Sequence, residues 1–389
     1  MSSERILNKE SFLKGLEVGR MLWRLAGGQA EPVPETGPFQ MKLDLQQYGL
    51  TSFIADLRGT FEIDWGDGTQ ETISSTASSG IRHTYPSLGE YVITIDGSLT
   101  HLGQGAWSRN TLTAVTELLT PLPASLEVLS NAFSECDGLT VIPPDLFSRC
   151  VNLRSVAGCF SETAISEIPA GLFDQCVKIT TFTSCFSKCT GLTEIPAGLF
   201  DSCPEVTVFD NCFLGCSALT DVPAGLFDGC RKVQSFNSCF YNCSKLAHVP
   251  DGLFQDQEMA KSFSSCFGSC KKLTAIPDRL FEGCAAAVQF DSCFQSCTAL
   301  TEIPEGLFDD CVKATQFRAC FSGCYGLISV PAELFDLTAV SMLNECFMRC
   351  LALTHAPELW ERFPDATHTR CFFYCQEADN YDVIPSGWK

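Results

Sequence analysis

Eight times the chain spells C-F-x-x-C: Cys185/Cys189, Cys212/Cys216, Cys239/Cys243, Cys266/Cys270, Cys293/Cys297, Cys320/Cys324, Cys346/Cys350 and Cys371/Cys375. Thiols at such spacing could hold a soft metal such as zinc, close disulfides, or cycle as a redox centre. They could also do no chemistry, because free cysteine packs as a small hydrophobe and is among the most buried residue types. The register of the copies favours this last reading. The first copy has Ala132 with Cys136 and the second Cys159 with Thr163. A further position, L-F-x-x-C, holds Cys150, Cys176, Cys203, Cys230, Cys284 and Cys311, but Gln257 and Thr338 in two copies. A zinc site needs four converging ligands and does not survive the loss of one, whereas a packed rung tolerates Ala, Thr or Gln. Disulfides between residues four apart would be strained, and identical rungs offer no unique pairing. The repeats carry only His248, His355 and His368, and no C-x-x-C. No metal site and no cofactor is expected, and plentiful thiols suit a reducing compartment.

Other catalytic patterns are missing too: there is no P-loop, no G-x-S-x-G and no H-E-x-x-H. A cysteine meeting His248 or His355 in space would have near-identical siblings with no histidine nearby. The chain is therefore expected not to be an enzyme.

All 24 cysteines lie between Cys136 and Cys375, so one kind of element must position them. The prolines of a recurring I/V-P step (Pro143, Pro169, Pro196, Pro223, Pro250, Pro277, Pro304, Pro331 and Pro357) follow one another at 26 or 27 residues. A period this strict implies coils of a solenoid, each burying its apolar side only against its neighbours. One unit, Cys189 to Cys216, reads C-x-x-L-T-x-I-P-x-x-L-F-D-x-C-x-x-V-x-x-F-x-x-C-F-x-x-C. The short β-branched L-T-x-I-P segment, ended by proline, is expected to be the strand of a parallel ladder, with the rest returning by turns or short helical pieces. These units, as in "AFSECDGLTVIPPDLF" (Ala132 to Phe147), resemble the BspA-like leucine-rich repeats of bacterial surface proteins over roughly residues 112–388. They depart from that pattern by the inserted L-F-D-x-C step and by Cys before the second Phe.

On this register the outward strand positions are Thr193/Glu194, Thr220/Asp221, Ala247/His248, Thr274/Ala275, Thr301/Glu302 and Ile328/Ser329, continuing to His355. The first of each pair is nearly constant and the second varies, as on a recognition surface carried by a fixed scaffold; a drifting solvent face would look the same. The candidate binding residues are Thr193, Glu194, Thr220, Asp221, His248, Thr274, Thr301, Glu302, Ser329 and His355. A second column, Asp174, Asp201, Asp228, Glu282, Asp309 and Asp336, follows L-F and forms an acidic edge, read first as turn capping and alternatively as a seat for a basic partner or calcium.

Upstream, residues 39–110 contain no cysteine. Alternating Phe61, Ile63 and Trp65 run into a Gly-Asp-Gly turn, and Tyr91, Ile93 and Ile95 alternate likewise, so a small antiparallel β-domain is expected. It resembles the PKD-type β-sandwich through W-G-D-G-T (Trp65 to Thr69), H-x-Y (His83 to Tyr85) and G-x-Y-x-V/I (Gly89 to Ile93), which implies a spacer or adhesion module. Asp64 and Asp67 read as turn caps, with calcium as the alternative. Residues 1–28 are expected to be an amphipathic docking or oligomerisation helix with Phe12, Leu16, Gly19 and Trp23 on one face, tied by a Pro/Gly linker over residues 29–38. The opening "NKESFLKGLEVGR" resembles those of many phage and prophage proteins of gut bacteria.

The expected fold is thus a leucine-rich-repeat solenoid over residues 111–389 with a C-terminal cap, plus a small antiparallel β-sandwich and an N-terminal helix. The balance of 26 basic against 46 acidic residues, net −20, argues against nucleic acid or anionic membrane as partner. No apolar run reaches the ~18–20 residues of a spanning helix, and Glu4, Glu10 and Glu17 spoil a signal peptide. The function expected is non-enzymatic adhesion: the solenoid binds a protein or glycan on a bacterial surface while the helix joins a larger assembly, such as a phage particle, or a second copy. The location would be a virion or the cell exterior after cytoplasmic synthesis. Alternatives are a bacterial surface adhesin exported by another route, and a thiol-rich metal-binding or redox protein.

Overall fold

In the computed structural model, residues 37–76, 80–104, 112–336 and 339–389 are described. The segment carrying Phe12, Leu16, Gly19 and Trp23 lies outside the described residues, as does Thr338.

The cysteine-free region is a sheet of β1 (Phe39–Asp44), β2 (Ser52–Asp64), β3 (Gln70–Ser75), β4 (Ile81–Thr84), β5 (Glu90–Gly103), β6 (Val115–Leu118) and β7 (Val128–Ser130). The order is β3-β2-β5-β1-β6, with β4 on the first half of β2 and β7 beside β5. Strict alternation places Phe39, Met41, Leu43, Phe61, Ile63, Ile93 and Ile95 in the core, with Trp65 following β2 into it. A one-turn helix, α1 (Leu45–Tyr48), is capped by the Asp44 side chain and ends on Gly49. The β2–β5 register shifts between Arg58 and Gly59. There Gly59 has φ +133°, and a side chain on it would sit 1.9 Å from the Ser98 carbonyl oxygen.

The sheet does not stop at residue 110. Strand β6 pairs with β1, and β7 runs parallel to β5 with His101 opposite Val128. Val128 bridges on to Ser155, the first rung of the repeats. From there parallel bridges continue through Thr181, Val208, Ser235, Ser262, Gln289, Gln316, Met342 and Thr367. These residues come one before the position three ahead of each C-F, a Phe in the coils of Phe182 to Phe317 and Val156, Leu343 and His368 in the others, and not before the proline. Among the described residues the expected strand segment L-T-x-I-P forms a parallel ladder in part, bridged at Asp221 to His248 and Glu302 to Ser329. The difference in extent has a simple cause. Proline has no N–H to donate and cuts the rung short, whereas V-x-x-F-x-x-C-F offers donors along its length. Thr207, Phe209, Asn211 and Phe213 each donate from the backbone to a neighbouring coil, at 2.8–3.0 Å.

Two further columns bend the chain around each C-F. Ser184, Asn211, Ser238, Ser265 and Ser292 precede the first Cys at φ 53–58°, and Lys188, Asn242, Ser269 and Ser296 precede the second at φ 56–62°. Inside, phenylalanines stack coil on coil. The column Phe160 to Phe372 has centroids 5.5–5.7 Å apart and planes within 10° of parallel. Columns Phe182 to Phe317 and Phe173 to Phe335 run beside it, the first of them packing obliquely or edge-on against the second. The far end is closed by α2 (Leu359–Arg362) and by Trp388, which stacks on His368 at 4.3 Å and accepts from the Phe372 N–H. The described residues form one compact unit.

Candidate functional site

All 24 cysteines are free and buried. Their roles differ by column. The second cysteine of C-F-x-x-C points its sulfur at the backbone carbonyl of the C-F phenylalanine one coil earlier. Cys216 reaches Phe186 O at 3.1 Å, Cys243 reaches Phe213 O at 3.2 Å, Cys270 reaches Phe240 O at 3.3 Å and Cys297 reaches Phe267 O at 3.2 Å. The L-F-x-x-C cysteine acts alike: Cys284 reaches Phe254 O at 3.3 Å, and Cys230 reaches Cys203 O at 3.2 Å. The first cysteine of each pair donates no such bond among the described residues. Each of these carbonyls also accepts a backbone N–H of its own coil, as Phe213 O does from Cys216 at 3.2 Å, so the thiol is a second donor that ties one coil to the next.

The substitutes follow the same division. Gln257 fills the L-F-x-x-C column and donates its amide to Phe227 O at 3.1 Å. Thr163 fills the second column differently: its hydroxyl donates to Phe160 O of its own coil at 2.8 Å, the same carbonyl that Cys189 reaches from the next coil at 3.1 Å. Ala132, with no donor, stands only in the first column, where packing is all that is required.

Burial pushes the thiols up: Cys189 to about 11, although the Thr163 hydroxyl partly offsets this, and Cys324 to about 12. Cys212, Cys239 and Cys266 are pushed well above the usual thiol range by the same desolvation. The reactive thiolate is therefore suppressed. Among the described residues no group of three or more His, Cys, Asp or Glu converges as a metal site would require.

The carboxylates of the W-G-D-G-T turn are occupied. Asp64 accepts from the Gly66 N–H at 2.9 Å and the Gln70 amide at 2.9 Å. Asp67 accepts from the Thr69 N–H at 3.0 Å and hydroxyl at 2.6 Å, and its other oxygen lies 2.8 Å from His83 Nε2. His83 in turn stacks on Trp65 at 4.5 Å and meets Tyr85 edge-on at 4.7 Å, so the two sequence motifs form one knot. In the acidic edge, Asp201, Asp228 and Asp309 fold back over glycines at φ 68–72°. Asp228, Glu282 and Asp336 are ion-paired with Arg231, Arg279 and Arg362.

The ten candidate binding residues are all exposed. Backbone bonds tie them into a column: the Ala247 N–H donates to Thr220 O at 3.0 Å, Ile328 to Thr301 O at 2.9 Å and Thr354 to Ile328 O at 3.0 Å. Only His355 has a side-chain partner among the described residues, Asp379 at 2.6 Å. The bridged ladder beside the second Phe is different. There Ser235 and the Asn237 N–H share Asp210, Ser262 and the Ser264 N–H share Asn237, and the Arg318 N–H meets Asp291 at 2.8 Å. Its polar side chains clamp coil to coil. Sequence reasoning missed this clamp, although recurring Asp, Asn and Ser two residues before C-F was its signal.

The sequence profile described as "BspA type Leucine rich repeat region (6 copies)" matches residues 90–207 and 127–284, together about half of the chain. The chain belongs to the BspA-type leucine-rich repeat family. No curated protein matches it in sequence. Among solved structures, a leucine rich cell surface protein from Faecalibacterium prausnitzii is 16% identical, covering 84% of this chain and 93% of that one, with a TM-score of 0.28. The leucine-rich repeat domain of the type III effector XopL is 14% identical over 68% of this BspA-type chain and 66% of its own, with a TM-score of 0.29. A TLR13–ssRNA13 complex is 14% identical over 57% and 43%, with a TM-score of 0.17.

Proposed function

We propose that this BspA-type chain is a non-catalytic adhesion protein whose repeats bind a protein or glycan on a bacterial surface through the column Thr193, Glu194, Thr220, Asp221, His248, Thr274, Thr301, Glu302, Ser329 and His355. One observation carries the reading. Nine of these ten exposed side chains have no hydrogen-bond or ion-pair partner among the described residues, whereas the neighbouring bridged ladder spends its polar groups between coils. Side chains free of internal duty can vary and recognise without unsettling the scaffold. The buried, protonated thiols support a structural rather than a metal or redox role. In this reading the N-terminal segment anchors the chain to a larger assembly, a phage particle being the kind its opening resembles, and the protein acts outside the cell that makes it.

The test is adhesion of the labelled full chain to a panel of gut bacterial cells, repeated with Glu194→Ala/Asp221→Ala/Glu302→Ala. The expected result is selective binding that falls about tenfold in the triple variant while thermal unfolding is unchanged. Binding that ignores these substitutions would place recognition elsewhere.

A further inference from the structure

We propose that a cluster on the last two coils, Arg349, Arg370, Phe373 and Tyr374, docks an acidic segment of a partner protein. Arg349 and Tyr374 stand in the turn column that the first coils fill with Glu135, Glu162 and Lys188 and the middle ones with Gly215, Asn242, Ser269, Ser296 and Gly323. Arg370 stands in the column of Ser238, Ser265 and Ser292. All three have φ of 58–65°, a turn that small residues fill in the middle coils and that Glu135, Glu162, Lys188 and Glu345 also occupy, so the turn tolerates these large side chains but does not demand them.

These side chains make one contiguous row. The Arg370 guanidinium carbon lies 5.6 Å over the Phe373 ring, that ring is 4.1 Å from Tyr374, and Arg349 lies 5.7 Å over Tyr374. Tyr374 is 42% exposed, and Tyr325 and Leu351 on the adjoining column are 45% and 46% exposed. Neither arginine is ion-paired among the described residues, in a chain with 46 acidic and 26 basic side chains. On the coils Arg231, Arg279 and Arg362 each have a carboxylate, while Arg149, Arg154 and Arg318 are also without an ion pair among the described residues. What sets Arg349 and Arg370 apart is that they share one row of rings, where two cations side by side offer a seat for an external anion.

The chemistry favours a peptide-like partner. A guanidinium laid on a ring keeps its N–H edge free to take a carboxylate with two bonds. Tyr, Phe and Arg are the residue types that concentrate binding energy at protein interfaces, and the rings with Leu351 offer apolar area beside the charges. A sugar would need open ring faces, and here the guanidiniums lie over them.

The probe is a fluorescein-labelled peptide of Glu-Leu-Glu-Gly repeats, followed by anisotropy with the full chain; a Lys-Leu-Lys-Gly peptide and polygalacturonate are compared. The acidic peptide is expected to bind despite the net charge, to weaken about tenfold in Arg349→Gln/Arg370→Gln, and to weaken also in Tyr374→Ala, with unfolding temperatures unchanged. The basic peptide, drawn to the general acidic surface, should be indifferent to these changes. No binding of the acidic peptide, equal binding to the double variant, or binding of polygalacturonate alone would overturn the proposal. Cell adhesion through the Glu194 column is measured separately and can fail without affecting this result.

Discussion

The sheet region and the coil stack solve the same burial problem with opposite means. In the sheet, partners are far apart in sequence: β1 meets β5 with Phe39 opposite Ile95, and β2 meets β5 with Ile63 opposite Ile95. In the coils the bridged partners are 25 to 27 residues away, as from Ser235 to Ser262, and the buried columns repeat phenylalanine or cysteine in most coils. The sheet needs a distinct side chain at each place, such as Trp65 against His83. The coils need only a small donor, a small filler and a phenylalanine, over and over. A repeat therefore separates stability from recognition, since its constant columns are buried and its varied columns are free.

That contrast can be broken first at the phenylalanines. Phe227→Ala, in the middle of its column, is expected to destabilise the coils by about 3–5 kcal/mol in urea unfolding. Hydrogen exchange should then speed up in the coils on both sides while β1, β2 and β5 keep their protection. Equal loss of protection in the sheet would mean that the two regions open as one cooperative unit.

The next effect sharpens the division among cysteines. Cys243→Ala removes one of the two donors on Phe213 O, the Cys216 N–H remaining at 3.2 Å, and is expected to cost about 2 kcal/mol with the lost packing included, with Cys243→Ser recovering part of it. Cys239→Ala, in the column where Ala132 occurs naturally, is expected to cost about 1 kcal/mol from lost packing. Equal effects at the two positions would remove the donor argument.

The smallest effect is in pH, at the turn between β2 and β3. Asp64 is held below the usual carboxylate range by the Gln70 amide and the Gly66 N–H. For Asp67, burial acts upward but is outweighed by hydrogen bonds from Thr69 and His83, so the net direction is also downward. A folded-state value below the unfolded one, about 3.9, gives stability that is present above that pH and is lost as pH falls through the folded value. Below about pH 4 the turn joining β2 and β3 is expected to loosen, seen as faster exchange at Gly66 and Thr69, and Asp64→Asn/Asp67→Asn should flatten the dependence.

Much of this was legible in the sequence. The period of 26 or 27 gave coils, and tolerance of Ala132, Thr163 and Gln257 marked the cysteine positions as buried wall. The alternation at Phe61, Ile63 and Trp65 gave the sheet, whose cores are as expected. The L-T-x-I-P ladder is present in part, but the longer bridged ladder beside V-x-x-F was not read, because its varied Ser, Thr, Val, Gln and Met carry a weaker β signal than L-T-x-I-P. The donor columns could not be read, because a thiol that donates and a thiol that fills space are the same letter. The left-handed turn columns were visible only as a weak enrichment in Ser, Asn and Gly.

The most direct test of the central claim is the rate at which the thiols of the full chain react with a bulky disulfide reagent, before and after unfolding in guanidinium. The account predicts no fast-reacting thiol in the native protein and all 24 after unfolding, with no metal released. Thiols that react rapidly in the native state, or stoichiometric zinc set free on unfolding, would contradict it and return the cysteines to chemistry.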